Sequence, residues 1–220
     1  MGGASAGARA SQMVCEALAE ALPGFSDFRR TNAARAAILD SALQQVNGRM
    51  RAYAREQGYK SMGSTVVLVQ ILTEDGRRAL VAHAGDSRLY RLRAGELRQL
   101  TRDHTFGEMW GERTANDREA ALLKSRANPY SHVLTRAVGT EYKVRADWKL
   151  LDIRRGDRYL LCSDGVHDML SDDQIAAFLA KGTPAEVVDA LSRAILAAGA
   201  VDNYSIVHFQ AERKAPSAGS

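Results

Sequence analysis

Cysteine is scarce in this chain. Only Cys15 and Cys162 occur, far apart in the sequence, and no cysteine or histidine pair has the spacing of a zinc site. That excludes a disulfide scaffold and a thiolate-held metal, so any metal must be held by oxygen. Long apolar runs are also lacking. Thr65 to Leu72 and Tyr159 to Cys162 are far shorter than the roughly 20 residues a membrane-spanning helix needs, and no basic-then-apolar segment opens the chain. The expectation is a cytoplasmic protein with no membrane partner. Charge of one sign is nowhere concentrated: 30 Lys+Arg against 26 Asp+Glu leave a net charge of +4, and the basic residues are scattered, which argues against a nucleic-acid partner. What is present, 45% hydrophobic and 25% charged residues over 220 positions, fits one globular domain with a sizeable core.

Small residues from Met1 to Gly7 read as a flexible lead-in to a helix carrying Met13, Val14, Ala17, Leu18, Ala21 and Leu22, which ends near Pro23-Gly24. Thr31 or Asn32 caps a longer second helix whose Ile38, Leu39, Ala42, Leu43, Val46, Met50 and Tyr53 recur at helical steps up to Gly58. Four β-branched runs follow: Thr65 to Leu72, Ala79 to His83, Leu89 to Arg93 and Glu96 to Leu100. They are separated by Asp75-Gly76, Gly85-Asp86 and Ala94-Gly95, and read as an antiparallel meander. Residues 103–132 are polar and poor in strand formers, an inserted flap with some helix from Asp117 to Lys124. Strands are expected again from Val144 to Ile153 and Tyr159 to Ser163, helices over Asp172 to Leu179 and Pro184 to Ala198, and a last strand from Tyr204 to Gln210. Contiguous strands bracketed by helices suggest an α+β layered domain. The tail over 211–220 is expected to be disordered.

Three segments end an apolar strand with an aspartate beside a small or turn residue: Ala84-Gly85-Asp86-Ser87-Arg88, Leu160-Leu161-Cys162-Ser163-Asp164-Gly165-Val166-His167-Asp168, and Val201-Asp202-Asn203-Tyr204. Strand ends can bring carboxylates together at a sheet edge. Converging carboxylates repel one another unless a cation joins them, and hard oxygen donors favour Mg²⁺ or Mn²⁺. Taken singly, Gly-Asp and Asp-Gly are ordinary turn dipeptides; it is their combination that points to a site.

In this combination the chain resembles the metal-dependent Ser/Thr protein phosphatases of type 2C, the PPM family, in their bacterial form. The matching segments run in the family's order: Met1-Gly2-Gly3 and its small-residue continuation to Ala10-Ser11, Gly63-Ser64-Thr65, Ala84 to Tyr90, Leu100-Thr101-Arg102-Asp103-His104, Leu134-Thr135-Arg136-Ala137-Val138-Gly139, Gly156 to Gly165, and Asp202-Asn203. The resemblance implies an antiparallel β-sandwich flanked by helices in α-β-β-α layers over residues 1–210, with the flap beside the metal site. It implies two Mg²⁺ or Mn²⁺ ions with Asp164 and Asp202 as ligands, and Asp86 and Asp168 as ligands of a third, more weakly held ion. Water bridging two cations would attack a phosphomonoester in line. A phosphorylated Ser/Thr protein would be the substrate and a cognate Ser/Thr kinase the partner. The family also places Asp-Gly directly before Met-Gly-Gly, the Asp bridging both metals; the sequence here starts at Met1, which reads as an N-terminally truncated form. A catalytically impaired phosphatase-like domain that binds a phosphoprotein or regulatory partner, and a small-molecule phosphatase, are the alternatives.

The histidines His83, His104, His132, His167 and His208 show no ligand spacing, and His83 and His208 sit in strand patterns as structural residues. His167, between Asp164 and Asp168, is a candidate for proton transfer. Cys162 reads as a buried strand residue rather than a nucleophile.

Overall fold

A computed structural model describes residues 3–25, 30–73, 76–114, 116–125 and 128–212 of the chain. Met1-Gly2, Asp75 and most of the expected tail lie outside the described residues. The chain divides into two compact units: Met1–Gln70 with Leu80–Asp86 and Asp103–Lys149, and Ile71–Ala79 with Ser87–Arg102 and Leu150–Ser220. Helices combined with two sheets give the α+β class expected from the strand and helix patterns.

In the first unit, α1 (Gly3–Phe25) packs along α2 (Asn32–Glu56). From Gly3 to Gly7 the small residues are helical rather than a flexible lead-in. Ala6 and Ala10 are fully buried, since short side chains fill a closely packed face without strain. Thr31 caps α2 by accepting from the Ala34 N–H, and Leu39, Leu43, Val46 and Met50 form its buried stripe. Within that stripe Asn47 is buried and fully used: its amide nitrogen donates to the carbonyls of Glu141 and Tyr142, and its oxygen accepts from the Gly139 N–H. This fastens the loop that follows Val138 to the helix.

The flap is more helical than its polarity suggests. Besides α4 (Asp117–Lys124), it contains α3 (Phe106–Gly111), whose N-cap Thr105 accepts from the Glu108 N–H. Thr105 followed three residues later by Glu108 is a capping signature that charge composition conceals.

The strands β1 (Val66–Ile71), β2 (Arg78–Ala84) and β5 (Asp147–Asp152) form one sheet, in the order β1-β2-β5. The second sheet has the order β4-β3-β6-β7, from β3 (Arg88–Arg93), β4 (Glu96–Gln99), β6 (Arg158–Cys162) and β7 (Ile206–Gln210). The expected single meander is therefore two sheets, with the chain leaving one after β2 and entering the other at β3. Strand patterning fixes which residues alternate in and out, but not which strand lies alongside. The β3-β4 hairpin turns at Ala94-Gly95, both at positive φ (50° and 83°), as a two-residue turn between twisted strands requires.

Against the second sheet pack α6 (Asp172–Leu179) and α7 (Pro184–Ala197), both opened by complete capping boxes at Ser171 and Thr183. Tyr90, Leu160, Val166, Ile175, Leu179, Leu191 and Ile195 are buried in the core between them. Cys162 is buried in β6 and forms no disulfide, the buried strand residue expected.

Candidate metal centre

The antiparallel register of β6 and β7 builds the site. Cys162 faces Ile206, so the end of β6 and the start of β7 lie at the same end of the sheet. The ladder continues past the strands: the Ser163 N–H donates to the Ser205 carbonyl (3.2 Å), and the Ser205 N–H donates to the Ser163 hydroxyl (3.0 Å). Just beyond these ties come Asp164 on one segment and Asp202 on the other. Gly165 has no room for a side chain, because a Cβ there would lie 2.4 Å from the Asn203 carbonyl oxygen. Gly165 thus packs directly against the Asn203 carbonyl and Tyr204, which brings the segment carrying Asp164 beside the one carrying Asp202.

Gly165→Ala should push the two segments apart. We expect a loss of about 1–3 kcal/mol of stability by urea denaturation, the usual cost of overpacking, because the obstructing atom is backbone.

Each carboxylate uses one oxygen to hold its own turn. Asp164 Oδ1 accepts from the Gly165 N–H (2.9 Å) and Asp202 Oδ1 from the Asn203 N–H (2.7 Å). The other oxygen of each has no hydrogen bond or ion pair among the described residues. Asp164 is half-buried and Asp202 exposed. Asp168 follows on the short helix α5 (Asp164–His167), one turn along, its N–H bonded to the Asp164 carbonyl (2.8 Å). These are hard donors without nitrogen or sulfur, and they fit Mg²⁺ or Mn²⁺. His167 is buried with Nδ1 3.5 Å from Asp168 Oδ1, a neighbour of that carboxylate.

Asp86, the fourth expected ligand, belongs to the first unit and ends the stretch after β2. The preceding Gly85 has φ +113°, and a Cβ there would lie 2.4 Å from Thr65 Cγ2. Both polar groups of Gly85 are bound to one residue: its N–H donates to His104 Nδ1 (3.0 Å), and its carbonyl accepts from the His104 N–H (3.0 Å).

The histidines that look isolated in sequence are not. His83 and His104 stack ring on ring, centroids 4.7 Å apart and planes 11° from parallel. His104 Nε2 lies 3.3 Å from Asp147 Oδ2, and Arg136 donates to Asp147 Oδ1. His83, His104 and Asp147 offer donors within 4.8 Å of one another, the spacing of a metal site. Arg136 argues against that reading: its guanidinium already supplies the positive charge at Asp147, and its Nη1 stands 3.2 Å from His104 Nε2. Burial, then Arg136 and His83, push the His104 pKa down to about 4, so the ring is neutral near pH 7. With Nδ1 accepting from Gly85, Nε2 carries the proton and faces Asp147. The sequence conceals this cluster, because His83, His104, Arg136 and Asp147 come from four separate stretches.

Residues 1–197 match the protein phosphatase 2C family. The serine/threonine protein phosphatase PstP of Mycobacterium tuberculosis is 36% identical over 208 residues, covering 94% of this chain and 38% of that protein. The serine/threonine phosphatase stp of Listeria monocytogenes is 31% identical over 214 residues, covering 94% of this chain and 80% of its own length. A solved structure of the PstP catalytic domain in complex with two manganese ions superposes with a TM-score of 0.74 at 32% identity, covering 96% of this chain and 85% of that one. The chain belongs to the protein phosphatase 2C family. It spans about two fifths of the length of the PstP relative.

Proposed function

We propose that this chain is the catalytic part of a Mg²⁺- or Mn²⁺-dependent protein Ser/Thr phosphatase, acting in the cytoplasm on phosphoproteins made by a Ser/Thr kinase. The observation that carries this reading is the packing of the Asp164 segment on the Asp202 segment, with one oxygen of each carboxylate making no hydrogen bond or ion pair among the described residues. Asp164 and Asp202 would hold the principal cations, and Asp168 and Asp86 would be ligands of a weaker one. When bound, such cations would offset charge on the phosphoryl oxygens and lower the pKa of a bridging water, the chemistry of in-line phosphomonoester hydrolysis. The protein's own part is to hold the acidic side chains in place. The Asp164 and Asp202 turns are held by their following N–H groups, and the Ser163–Ser205 ties join the segments that carry them. The relatives named as Ser/Thr phosphatases support a phosphorylated Ser or Thr side chain as substrate.

The test is hydrolysis of p-nitrophenyl phosphate and of a phosphothreonine peptide, with and without Mn²⁺. It is run on this chain and on a version carrying Asp-Gly directly before Met1. Turnover that appears with Mn²⁺ and disappears with EDTA is expected. Turnover indifferent to EDTA overturns the proposal, and phosphopeptide binding with no turnover by either version would favour a non-catalytic phosphoprotein binder instead.

A further inference from the structure

We propose that His104 is a positioning residue for Asp86, a reading that rests on Asp86 being a cation ligand. A glycine at positive φ is the least constrained kind of residue, and a ligand directly after one would have an ill-defined direction. Here that freedom is removed by a reciprocal clamp: Gly85 donates to His104 Nδ1 and accepts from the His104 N–H, both at 3.0 Å. The clamp is itself anchored, since the His104 carbonyl accepts from the Thr135 N–H (2.8 Å) and His83 stacks on the ring.

The clamp works only in one tautomer. Nδ1 must be bare to accept from Gly85, so the proton must sit on Nε2. Asp147 favours that form by presenting Oδ2 3.3 Å from Nε2, against the pull of the Arg136 Nη1 donor 3.2 Å from the same nitrogen, and Arg136 holds Asp147 in place through its other oxygen. The chain Arg136–Asp147–His104–Gly85 therefore does for Asp86 what outer-shell partners do for ligands in general: it orients the group without touching the ion. The same groups that resemble a metal site are instead a hydrogen-bonded support.

The experiment measures three quantities: Mn²⁺ binding by calorimetry, Gly85 amide hydrogen exchange by NMR, and the His104 tautomer from its ring ¹⁵N shifts. His104→Phe keeps a flat ring and removes the acceptor. Gly85 exchange is expected to speed up at least about 10-fold, and the Asp86-dependent Mn²⁺ step to weaken about 10- to 100-fold. His104→Asn places an amide oxygen near the Nδ1 position and is expected to restore both to within a few-fold, which a purely structural loss would not allow. Asp147→Leu, at a side chain 55% exposed, should shift the tautomer and weaken the same step while the fold survives; Asp147→Asn should not. Asp86→Asn separates the two ideas. If it leaves Mn²⁺ binding unchanged, the ligand reading of Asp86 fails and the proposal falls with it. If Asp86→Asn abolishes the weak step but His104→Phe changes neither that step nor Gly85 exchange, the ligand reading stands and the positioning role of His104 is overturned.

Discussion

Asp202→Asn is expected to weaken Mn²⁺ binding more than about 100-fold while leaving the fold intact. Loss of an outer-shell partner alone costs about 10–100-fold in metal affinity, and a ligand should exceed that. The substitution isolates charge from structure. An asparagine oxygen can still accept from the Asn203 N–H, so the turn that Asp202 Oδ1 now holds should persist. Position 202 is exposed, and surface changes of this kind shift stability by only about 0.5 kcal/mol. Calorimetric titration with Mn²⁺, read beside a thermal melt of the metal-free protein, checks both halves. An unchanged Mn²⁺ affinity would remove the basis for the proposed function. Asp164→Asn should behave alike, since its Oδ1 also serves the next N–H.

The largest stability effect is expected away from the metal. Asp157 is 1% exposed and receives four hydrogen bonds: two from the Arg93 guanidinium at 2.6 Å each, one from the Arg154 N–H and one from the Tyr159 hydroxyl, both at 2.7 Å. Asp157→Ala strands all of these donors at once. Breaking a buried pair typically costs 3–5 kcal/mol, and because Arg93 retains 22% exposure the lower end applies, about 3 kcal/mol in urea denaturation. The pH dependence follows. Burial alone would raise the Asp157 pKa, but hydrogen bonds from Arg93, the Arg154 N–H and Tyr159 outweigh it and hold the carboxyl below its ordinary value of 3.8. A depressed carboxylate stabilises the fold above that ordinary value, and the contribution drains away as pH falls below it through the folded pKa. Acid unfolding curves of Asp157→Asn should therefore lie closer to the wild type at pH 2 than at pH 6.

Much of this was open to reading in the sequence, and the parts that were not share a cause. The helices at Asp172 and Pro184 announce themselves, because Ser171 with Gln174 and Thr183 with Glu186 are local capping signals. The Asp164 segment stands out because an apolar strand running into Ser-Asp-Gly is a local pattern too, whereas Asp202, expected to end an apolar strand, instead lies between α7 and β7. Strand partnership is not local: the runs ending at His83 and beginning at Leu89 look like consecutive meander strands, yet they join different sheets. The His83–His104–Asp147–Arg136 cluster is invisible for the same reason. Each member is an ordinary residue in its own stretch, and only folding supplies the neighbours that give His104 its tautomer.

The Ser163–Ser205 ties also set where the chain can vary in length. Close to β7 the chain is tied at Ser205 to Ser163 and packed at Asn203 on Gly165, so an insertion between Asn203 and β7 would break one of these ties. Upstream, from the end of α7 to the exposed Val201, no such ladder applies, and extra residues could loop out into solvent. The Asp202 segment thus tolerates slack on one flank only, and related chains of differing lengths should carry their insertions ahead of this aspartate rather than behind it.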